Sequence, residues 1–185
     1  YDRLLKLASF RHHAKRDTLM ILFSYGLGLR AKEIAHLKIG DVIDDKGNII
    51  AQVKVTNTKG NEPLKTFLEH EDITKALNEY LDYRKAWCER TGNIFSLNQP
   101  LFLSQKGSQF DDLSVVKLFK VMYIKAGINA TSHSGRVTFA TNLIERGVDI
   151  KSLQVLLGHS NIHTTMKYVK ENPDRLKKVI LNALY

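Results

Sequence analysis

The side chains best suited to chemistry in this sequence are two arginines, two histidines and a tyrosine in three short motifs. Arg30 lies in GLGLRAKEIAHL, and TSHSGRVTFATNL holds His133 and Arg136 three residues apart. LLGHSNIHTTMKYVK holds His159 and Tyr168 nine residues apart. Guanidinium groups bind phosphate oxygens in pairs, imidazole exchanges protons near neutral pH, and a phenol is easier to deprotonate than an alcohol. Together these types point to chemistry on a phosphate.

Each motif taken alone also has a purely structural interpretation. Arg30 and Glu33, spaced i,i+3, are typical of a surface ion pair worth a few tenths of a kcal/mol. Lys59 in TNTKGNEPLKTF is typical of a solvated lysine in a hairpin turn. A tyrosine on a terminal helix is usually a packing residue. His-x-x-Arg is a weak signal, although on a helix both side chains would face one phosphate.

The elements that must position these residues begin with two helices. The apolar run TLMILFSYGLG predicts a buried helix with Asp17 as its N-cap, ended by Gly26 and Gly28. AKEIAHL predicts a short second helix with Ile34 and Leu37 on one face.

A change of period near residue 41 predicts a small sheet. Residues 49, 51, 53 and 55 are apolar and alternate with mostly polar residues, which is typical of a half-buried strand. Turn signals lie at residues 47–48 and 59–61. We therefore expect about three antiparallel strands, with Lys59 at or beside the tip of the second hairpin.

Helical periodicity returns after the predicted sheet. We expect helices over residues 71–90 and about 113–126, then short helices with breaks at Gly147, at Gly158 and around Pro173. Thr131 or Ser132 is the expected N-cap before Arg136, and Ser160 the expected cap of the helix leading to Tyr168. Residues 172–185 have an amphipathic pattern and pack on this domain or on a neighbouring protomer. The fold class is mainly α with a small antiparallel β-sheet (α+β), in one domain over residues 1–185.

The charge balance indicates a polyanionic partner. Among 185 residues, 28 Lys and Arg face 19 Asp and Glu, a net charge of +9. Such an excess is typical of nucleic-acid binding, although an evenly solvated basic domain has the same composition.

The single cysteine, Cys88, excludes an internal disulfide, and the longest apolar stretch, residues 19–23, is far too short to span a membrane. The chain starts at Tyr1 without a secretory signal, so we expect part of a longer cytoplasmic polypeptide.

The order and context of the polar residues resemble the tyrosine recombinase (phage integrase) family. The resemblance rests on GLR-x-x-E, the TKGN turn, H-x-x-R followed by TFAT, and LGHS-x-I-x-TT-x-x-Y, and extends from about residue 17 to residue 170. It implies the catalytic-domain fold of that family, without its N-terminal DNA-binding domain. The family often has Leu and His where this chain has Gly135 and Val137, which leaves the subgroup open.

The resemblance implies strand cleavage and rejoining through a covalent 3′-phosphotyrosyl intermediate. We assign Tyr168 as the nucleophile, Arg30 and Arg136 as the phosphate clamp, and His133 as a general acid or base. The resemblance further implies that Lys59 protonates the leaving 5′ oxygen and that His159 contacts the phosphate or Tyr168. It also implies that Glu33 orders the arginines. The expected partners are a double-stranded DNA recombination site and further protomers in a synaptic tetramer, with no membrane.

No metal or other cofactor is expected, because the seven histidines form no HExxH motif and no carboxylate pair suggests a two-metal centre. Phosphate contacts would position the DNA without reading its sequence. The candidates for them are Lys32, Lys38, Lys54, Lys65, Arg146, Lys151 and Lys167.

Three alternatives remain open from the sequence. A type IB topoisomerase-like enzyme would relax DNA without joining two sites. A DNA-binding regulator would have lost catalysis, yet it would gain little from keeping all six candidate residues. An ordinary basic helical domain that binds RNA would be expected to show more aromatic residues for stacking.

Overall fold

A computed structural model describes residues 1–55 and 64–169 of the chain, in which helices predominate and one small sheet is inserted early. This is the predicted fold class. The elements are α1 (Asp2–Ser9), α2 (Ala14–Gly26), α3 (Ala31–His36), a 3-10 turn (Ile39–Asp41), β1 (Gln52–Val55), β2 (Leu64–Phe67), α4 (Glu71–Thr91), α5 (Asp112–Lys125), α6 (Ser134–Glu145), α7 (Ile150–Leu156) and α8 (Ile162–Met166).

Helix α2 lies at the centre, packed against α1, α4 and α6. The predicted apolar helix is confirmed, but Asp17 as its N-cap is wrong, because α2 begins three residues earlier with His13 at the cap. Asp17 instead lies in the first turn, fully buried, with its carboxylate 2.6 Å from Arg11 Nε and 2.8 Å from Arg16 Nη2. Two arginines therefore neutralise a carboxylate that the core encloses.

The sheet has two strands in the described part of the chain, where three were expected. Strands β1 and β2 pair antiparallel, with Val53 opposite Thr66 and Val55 opposite Leu64. The expected first hairpin is reduced to a single bridge between Ile43 and Ile49. Residues 39–41 form a 3-10 turn just before that bridge, which leaves too little extended chain for a strand. The predicted turn around Lys59 lies outside the described residues.

The predicted helices over residues 71–90 and 113–126 are confirmed as α4 and α5. The predicted breaks at Gly147 and Gly158 are also confirmed, since both glycines have positive φ and lie between short helices. Pro173 and the amphipathic segment 172–185 lie outside the described residues.

Apolar packing within residues 1–55 and 64–169 divides into two clusters. The larger joins α1 to α5 and the sheet, and includes the fully buried Phe23, Leu77 and Phe102. The smaller has four buried members, Ala140, Ile144, Leu153 and Leu157, all from α6, α7 and the residue after α7. The candidate residues lie where these two clusters meet.

Candidate active site

Helix α3 supplies an arginine and the carboxylate that holds it. Arg30 is the N-cap of α3, and its backbone N–H donates to Glu33 Oε2 at 2.7 Å. Its Nη1 donates to Glu33 Oε1 at 2.6 Å. Glu33 is buried with a side-chain exposure of 2%, whereas Arg30 keeps 31%. The pair is therefore not the surface ion pair that spacing alone suggests, and it presents a fixed guanidinium edge to solvent.

A glycine turn before α3 receives the second arginine. Gly28 has φ +66°, and a Cβ there would lie 2.4 Å from Phe139 Cδ1. Only glycine fits both the left-handed backbone and this close approach of α6. The Gly28 carbonyl accepts a hydrogen bond from Arg136 Nη1 at 2.6 Å. This hydrogen bond joins Arg136 to the backbone of Gly28, two residues before Arg30.

Arg136 is almost fully buried and makes bonds in several directions. Its Nη2 donates to the Leu157 carbonyl and lies 3.2 Å from His159 Nε2, and its Nη1 lies 3.6 Å from Glu33 Oε2. Burial lowers the pKa of Arg136, the positive charge of Arg30 lowers it further, and Glu33 and the Tyr168 phenol oppose them. Arginine nevertheless stays protonated at any working pH. Glu33 lies between the two guanidiniums and offsets their repulsion.

His159 is held from both sides of its ring. Nε2 faces Arg136 Nη2, and Nδ1 lies 2.9 Å from Thr165 Oγ1. Burial lowers the pKa of His159 to about 4, with further lowering by the charges of Arg136 and Arg30. The imidazole is therefore neutral at physiological pH in the absence of an anion.

Tyr168 follows α8 and reaches the same cluster. Its ring is nearly parallel to that of His159, with an interplanar angle of 10° and centroids 6.1 Å apart. The ring packs against the smaller apolar cluster and is half-buried. The phenol is therefore positioned by packing and is not enclosed in the interior.

His133 is the N-cap of α6 and has an exposed side chain, one helical turn before Arg136. The expected caps Thr131 and Ser132 are wrong, because α6 begins at Ser134. Thr131 Oγ1 instead accepts from the His133 backbone N–H at 3.3 Å, which stabilises the approach to the helix.

The expected cap Ser160 is also wrong. Asn161 caps α8, and its side chain accepts from the His163 backbone N–H at 2.8 Å. Residues 159 and 160 therefore stay outside the helix, and His159 is left free to turn toward Arg136.

Gly135 has a local reason in this fold. A Cβ there would lie 2.2 Å from Ser24 Oγ and 2.9 Å from Tyr25 Cδ2, so α6 contacts α2 directly at this point. The neighbouring Val137 is 44% exposed and faces away from that contact. The leucine common in the family would not fit at position 135 unless the two helices moved apart.

The remaining candidates lie in the sheet, at exposed positions or outside the described residues. Lys59 is outside them, although β2, which follows it, packs against α7. Lys54 and Lys65 are cross-strand partners in the sheet. Lys32 lies 3.1 Å from Asp112, and Lys151 Nζ lies 3.2 Å from Gln154 Oε1. The exposed basic candidates are Lys32, Lys38, Arg146, Lys151 and Lys167.

Two residues that the sequence analysis gave no role belong to the cluster, Thr165 and Gln154. Both are buried, and both bond to His159. Gln154 could have been suspected from its position between Leu153 and Leu157 on the apolar face of a short helix. Thr165 belongs to the TT pair of the LGHS-x-I-x-TT-x-x-Y motif, but the motif does not indicate that this threonine bonds to His159.

Residues 1–55 and 64–169 contain neither a candidate membrane span nor a candidate metal centre. No helix there has the length and apolar character needed to cross a membrane. In the same ranges no group of three or more His, Cys, Asp or Glu side chains is arranged to hold a metal ion.

Known proteins resemble this chain over nearly its whole length. Tyrosine recombinase XerA from Pyrococcus horikoshii is 36% identical over 190 residues, which cover 98% of this chain and 59% of that protein. Tyrosine recombinase XerD from Staphylococcus epidermidis is 30% identical, with 91% and 55% covered. A crystal structure of XerA recombinase has a TM-score of 0.75 at 29% identity and covers 98% of this chain and 62% of that one.

The chain spans between one half and two thirds of the length of these relatives. The structural similarity to XerA confirms the expected fold, and the same fold occurs in the Tn1549 transposon integrase at 20% identity and a TM-score of 0.76. Residues 1–175 match the sequence model of the phage integrase family. The chain with this cluster of arginines, imidazole and phenol therefore belongs to the phage integrase family.

Proposed function

We propose that this chain is the catalytic domain of a tyrosine recombinase, which cuts and rejoins DNA at specific sites through a 3′-phosphotyrosyl bond on Tyr168. The observation that carries the proposal is the connected cluster of Arg30, Glu33, Arg136, His159 and Tyr168. These residues come from α3, α6 and the segments after α7 and α8, yet each contacts another member. A structural role alone does not require two arginines, an imidazole and a phenol to converge.

The chemistry follows from the groups present. The Tyr168 oxygen attacks the phosphorus, a P–O bond to tyrosine forms, and the P–O5′ bond of the DNA breaks. Phosphotyrosine keeps the energy of the broken bond, so the reverse attack by a 5′ hydroxyl can rejoin the strand without ATP. Positive charge that is already fixed in place stabilises the extra charge on the non-bridging oxygens.

The two arginines would contribute differently. Arg30 is partly exposed and is the one that would meet a phosphate first. Arg136 is buried among carbonyls, and its charge acts in surroundings that screen it weakly. Glu33 keeps both side chains in place and limits their mutual repulsion.

The proton transfers fall to the remaining candidates. His133 is exposed beside Arg136 and would act as general acid or base. Lys59 would give a proton to the leaving 5′ oxygen, and His159 would contact the phosphate. The DNA backbone would lie over the exposed basic side chains of Lys32, Lys38, Arg146, Lys151 and Lys167, with Lys54 and Lys65 on the hairpin.

The relatives' greater length supports a larger assembly. We propose an additional N-terminal DNA-binding domain, and recombination by four protomers on two DNA sites inside the cytoplasm. Exchange of two strands requires two duplexes, and each duplex must be cut in both strands.

The decisive experiment traps the covalent intermediate. The protein is incubated with a duplex that carries its recombination site and a nick beside the scissile phosphate, so that the cleaved fragment diffuses away. We expect a denaturant-stable protein–DNA adduct, and complete loss of the adduct in Tyr168→Phe, which keeps the ring and removes only the oxygen. Tyr83→Phe, on the exposed side of α4, is the matched control and should form the adduct normally.

The alternatives give different products in the same assay. Binding of the duplex with no adduct would indicate a silent DNA-binding regulator. Relaxation of supercoiled DNA with no product that joins two sites would indicate a topoisomerase-like enzyme. An adduct that persists in Tyr168→Phe would move the nucleophile elsewhere and overturn the assignment.

A further inference from the structure

The buried Thr165 contacts both His159 and the backbone of Tyr168, two residues of the proposed phosphate site. Thr165 is fully buried in α8, and its Oγ1 lies 2.9 Å from His159 Nδ1. Its backbone carbonyl accepts the backbone N–H of Tyr168 at 3.0 Å. The adjacent Thr164 has an exposed side chain. One residue therefore links the imidazole and the chain segment that carries the phenol.

The partners of the His159 ring determine where its hydrogen lies. Arginine can only donate, so the ring nitrogen that faces Arg136 Nη2, which is Nε2, must accept. A neutral imidazole carries a single hydrogen, which is therefore on Nδ1. Nδ1–H then donates to Thr165 Oγ1, and the threonine hydroxyl is the acceptor.

The backbone of His159 is fixed separately from its ring. The His159 N–H donates to the Gln154 carbonyl at 3.0 Å, and Gln154 Nε2 donates back to the His159 carbonyl at 2.8 Å. Gln154 is itself buried. With its backbone fixed, the His159 side chain can still rotate. The bond from Nδ1 to Thr165 restricts this rotation, on the side of the ring opposite Arg136.

We propose that Thr165 is a positioning residue for strand cleavage, which holds His159 with hydrogen on Nδ1 so that Nε2 alone faces Arg136 and the phosphate. This inference rests on the proposed function. When a phosphate arrives, its negative charge offsets the charges of Arg30 and Arg136. Nε2 then takes up a proton from an acid in the bulk solvent, hydronium or buffer, and keeps it as an N–H that donates a hydrogen bond to a phosphate oxygen, while Nδ1–H stays bonded to Thr165.

The electrostatics of the cluster agree with this order of steps. Burial and the two nearby guanidiniums keep the pKa of His159 near 4, so without an anion the ring is neutral. A bound anion removes the repulsive contribution of the arginines. Among the described residues, the groups that face the ring are Arg136, Thr165 and Tyr168, and of these three Thr165 is the one that bonds to Nδ1.

The first test needs no DNA. Nitrogen-15 NMR of the histidine rings in the free protein distinguishes a protonated from an unprotonated ring nitrogen. We expect hydrogen on Nδ1 of His159 in the wild type and in Thr165→Ser, which keeps the hydroxyl. Thr165→Val should lose this preference, and Thr164→Val, the matched exposed control, should retain it. A wild-type ring with its hydrogen on Nε2 would overturn the proposal.

The second test measures cleavage on the nicked duplex. Thr165→Val should bind the duplex as the wild type does but form the adduct about tenfold more slowly, as expected when one orienting hydrogen bond is lost. It should also show an altered pH profile, and Thr165→Ser should restore both. Equal cleavage rates in Thr165→Val and the wild type would contradict the proposal.

The two tests separate this inference from the proposed function. If the wild type forms no adduct but keeps hydrogen on Nδ1, the function fails and the geometry of His159 remains. If the adduct forms and the tautomer is the other one, the function remains and the role of Thr165 fails. Should Thr165→Val not fold, the wild-type tautomer and the behaviour of Thr165→Ser still decide the outcome.

Discussion

The two parts of the molecule that form the proposed active site are unequal in their apolar packing. The part up to residue 130 encloses a large core built on α2, α4 and α5. Helices α6 and α7, with the residue after α7, share four buried apolar residues. Yet this small part carries His133 and Arg136, with His159 and Tyr168 in the segments that follow, and the large part supplies Arg30 and Glu33. The reactive groups are concentrated where apolar burial is least.

The difference shows that polar and steric contacts must hold the small part in place. Four buried side chains cover little apolar surface, and a small core stabilises structure weakly. Among the described residues, we infer that the junction with α2 and α3 supplies further stability. There Arg136 donates to the Gly28 carbonyl and lies near Glu33, and Gly135 allows α6 to contact Ser24. The residues that shape the active site therefore also attach the small part to the large one.

Removal of the Glu33 carboxylate should disturb this junction most. Glu33→Ala leaves the buried Arg136 without a counter-charge and Arg30 without its anchor, and loss of one partner of a buried pair typically costs 3–5 kcal/mol. We therefore expect a decrease of about 4 kcal/mol in the free energy of unfolding, measured by urea denaturation. Asp112→Ala is the control, because that carboxylate is exposed and also bonds two basic side chains, Lys32 and His36. It should cost about 1 kcal/mol or less.

Hydrogen exchange then shows which part is lost. In Glu33→Ala the amides of α6 and α7 should exchange faster, while those of α2 and α4 keep their protection. Equal loss of protection in both parts would show that the molecule unfolds as one unit and would end the distinction between them.

A second change tests the steric side of the junction. Gly135→Leu introduces a side chain where even a Cβ would overlap Ser24 and Tyr25, so α6 must move away from α2. We expect a loss of about 3 kcal/mol, in the range of overpacked cores. Arg136 would be displaced with the helix, and adduct formation should fall in parallel. Val137→Leu, two residues on at an exposed position, should change stability by less than about 0.5 kcal/mol.

The same junction explains what the sequence could predict and what it could not. Helix α4 and helix α5 follow from apolar periodicity and glycine stops, which are local signals, and the structure has them within two residues of the expected bounds. The caps of α2, α6 and α8 were assigned to the wrong residues. Each competing residue can form a cap, and the choice depends on contacts made elsewhere. Asp17 is the clearest example, because burial with Arg11 and Arg16 outweighs its preference for a helix end.

The candidate site divides in the same way. The motifs selected Arg30, Glu33, Arg136, His159 and Tyr168, and the structure brings all five together. The carbonyl of Gly28, 108 residues from Arg136 in sequence, left no trace in the pattern of side chains. Neither did the carbonyl of Leu157. The LGHS-x-I-x-TT-x-x-Y motif includes Thr165 in its TT pair but does not show that the hydroxyl meets His159. Backbone acceptors are present at every residue, so only the fold determines which of them an arginine meets.

The smallest expected effect concerns His159 and acid. The unfolded chain protonates this residue near pH 6.5, whereas the pKa in the folded protein is about 4, chiefly because of burial. Between these values the unfolded state binds more protons, so the free energy of unfolding falls as the pH is lowered from about 6.5 to about 4. Below that window both states are protonated and this contribution stops changing. We expect a loss of about 1 to 2 kcal/mol, since some solvent still reaches the ring.

The measurement compares the wild type with His159→Gln in urea between pH 4 and pH 8. Carboxylates titrate in both proteins, so the difference between the two curves isolates the imidazole. The wild type should lose more stability than the variant on acidification, and hydrogen exchange should report the loss first in α6 and α7. If the two curves run parallel, the ring accepts a proton freely in the folded state. Water would then reach the buried Arg136 of the small part as freely as it reaches Arg30 of the large part.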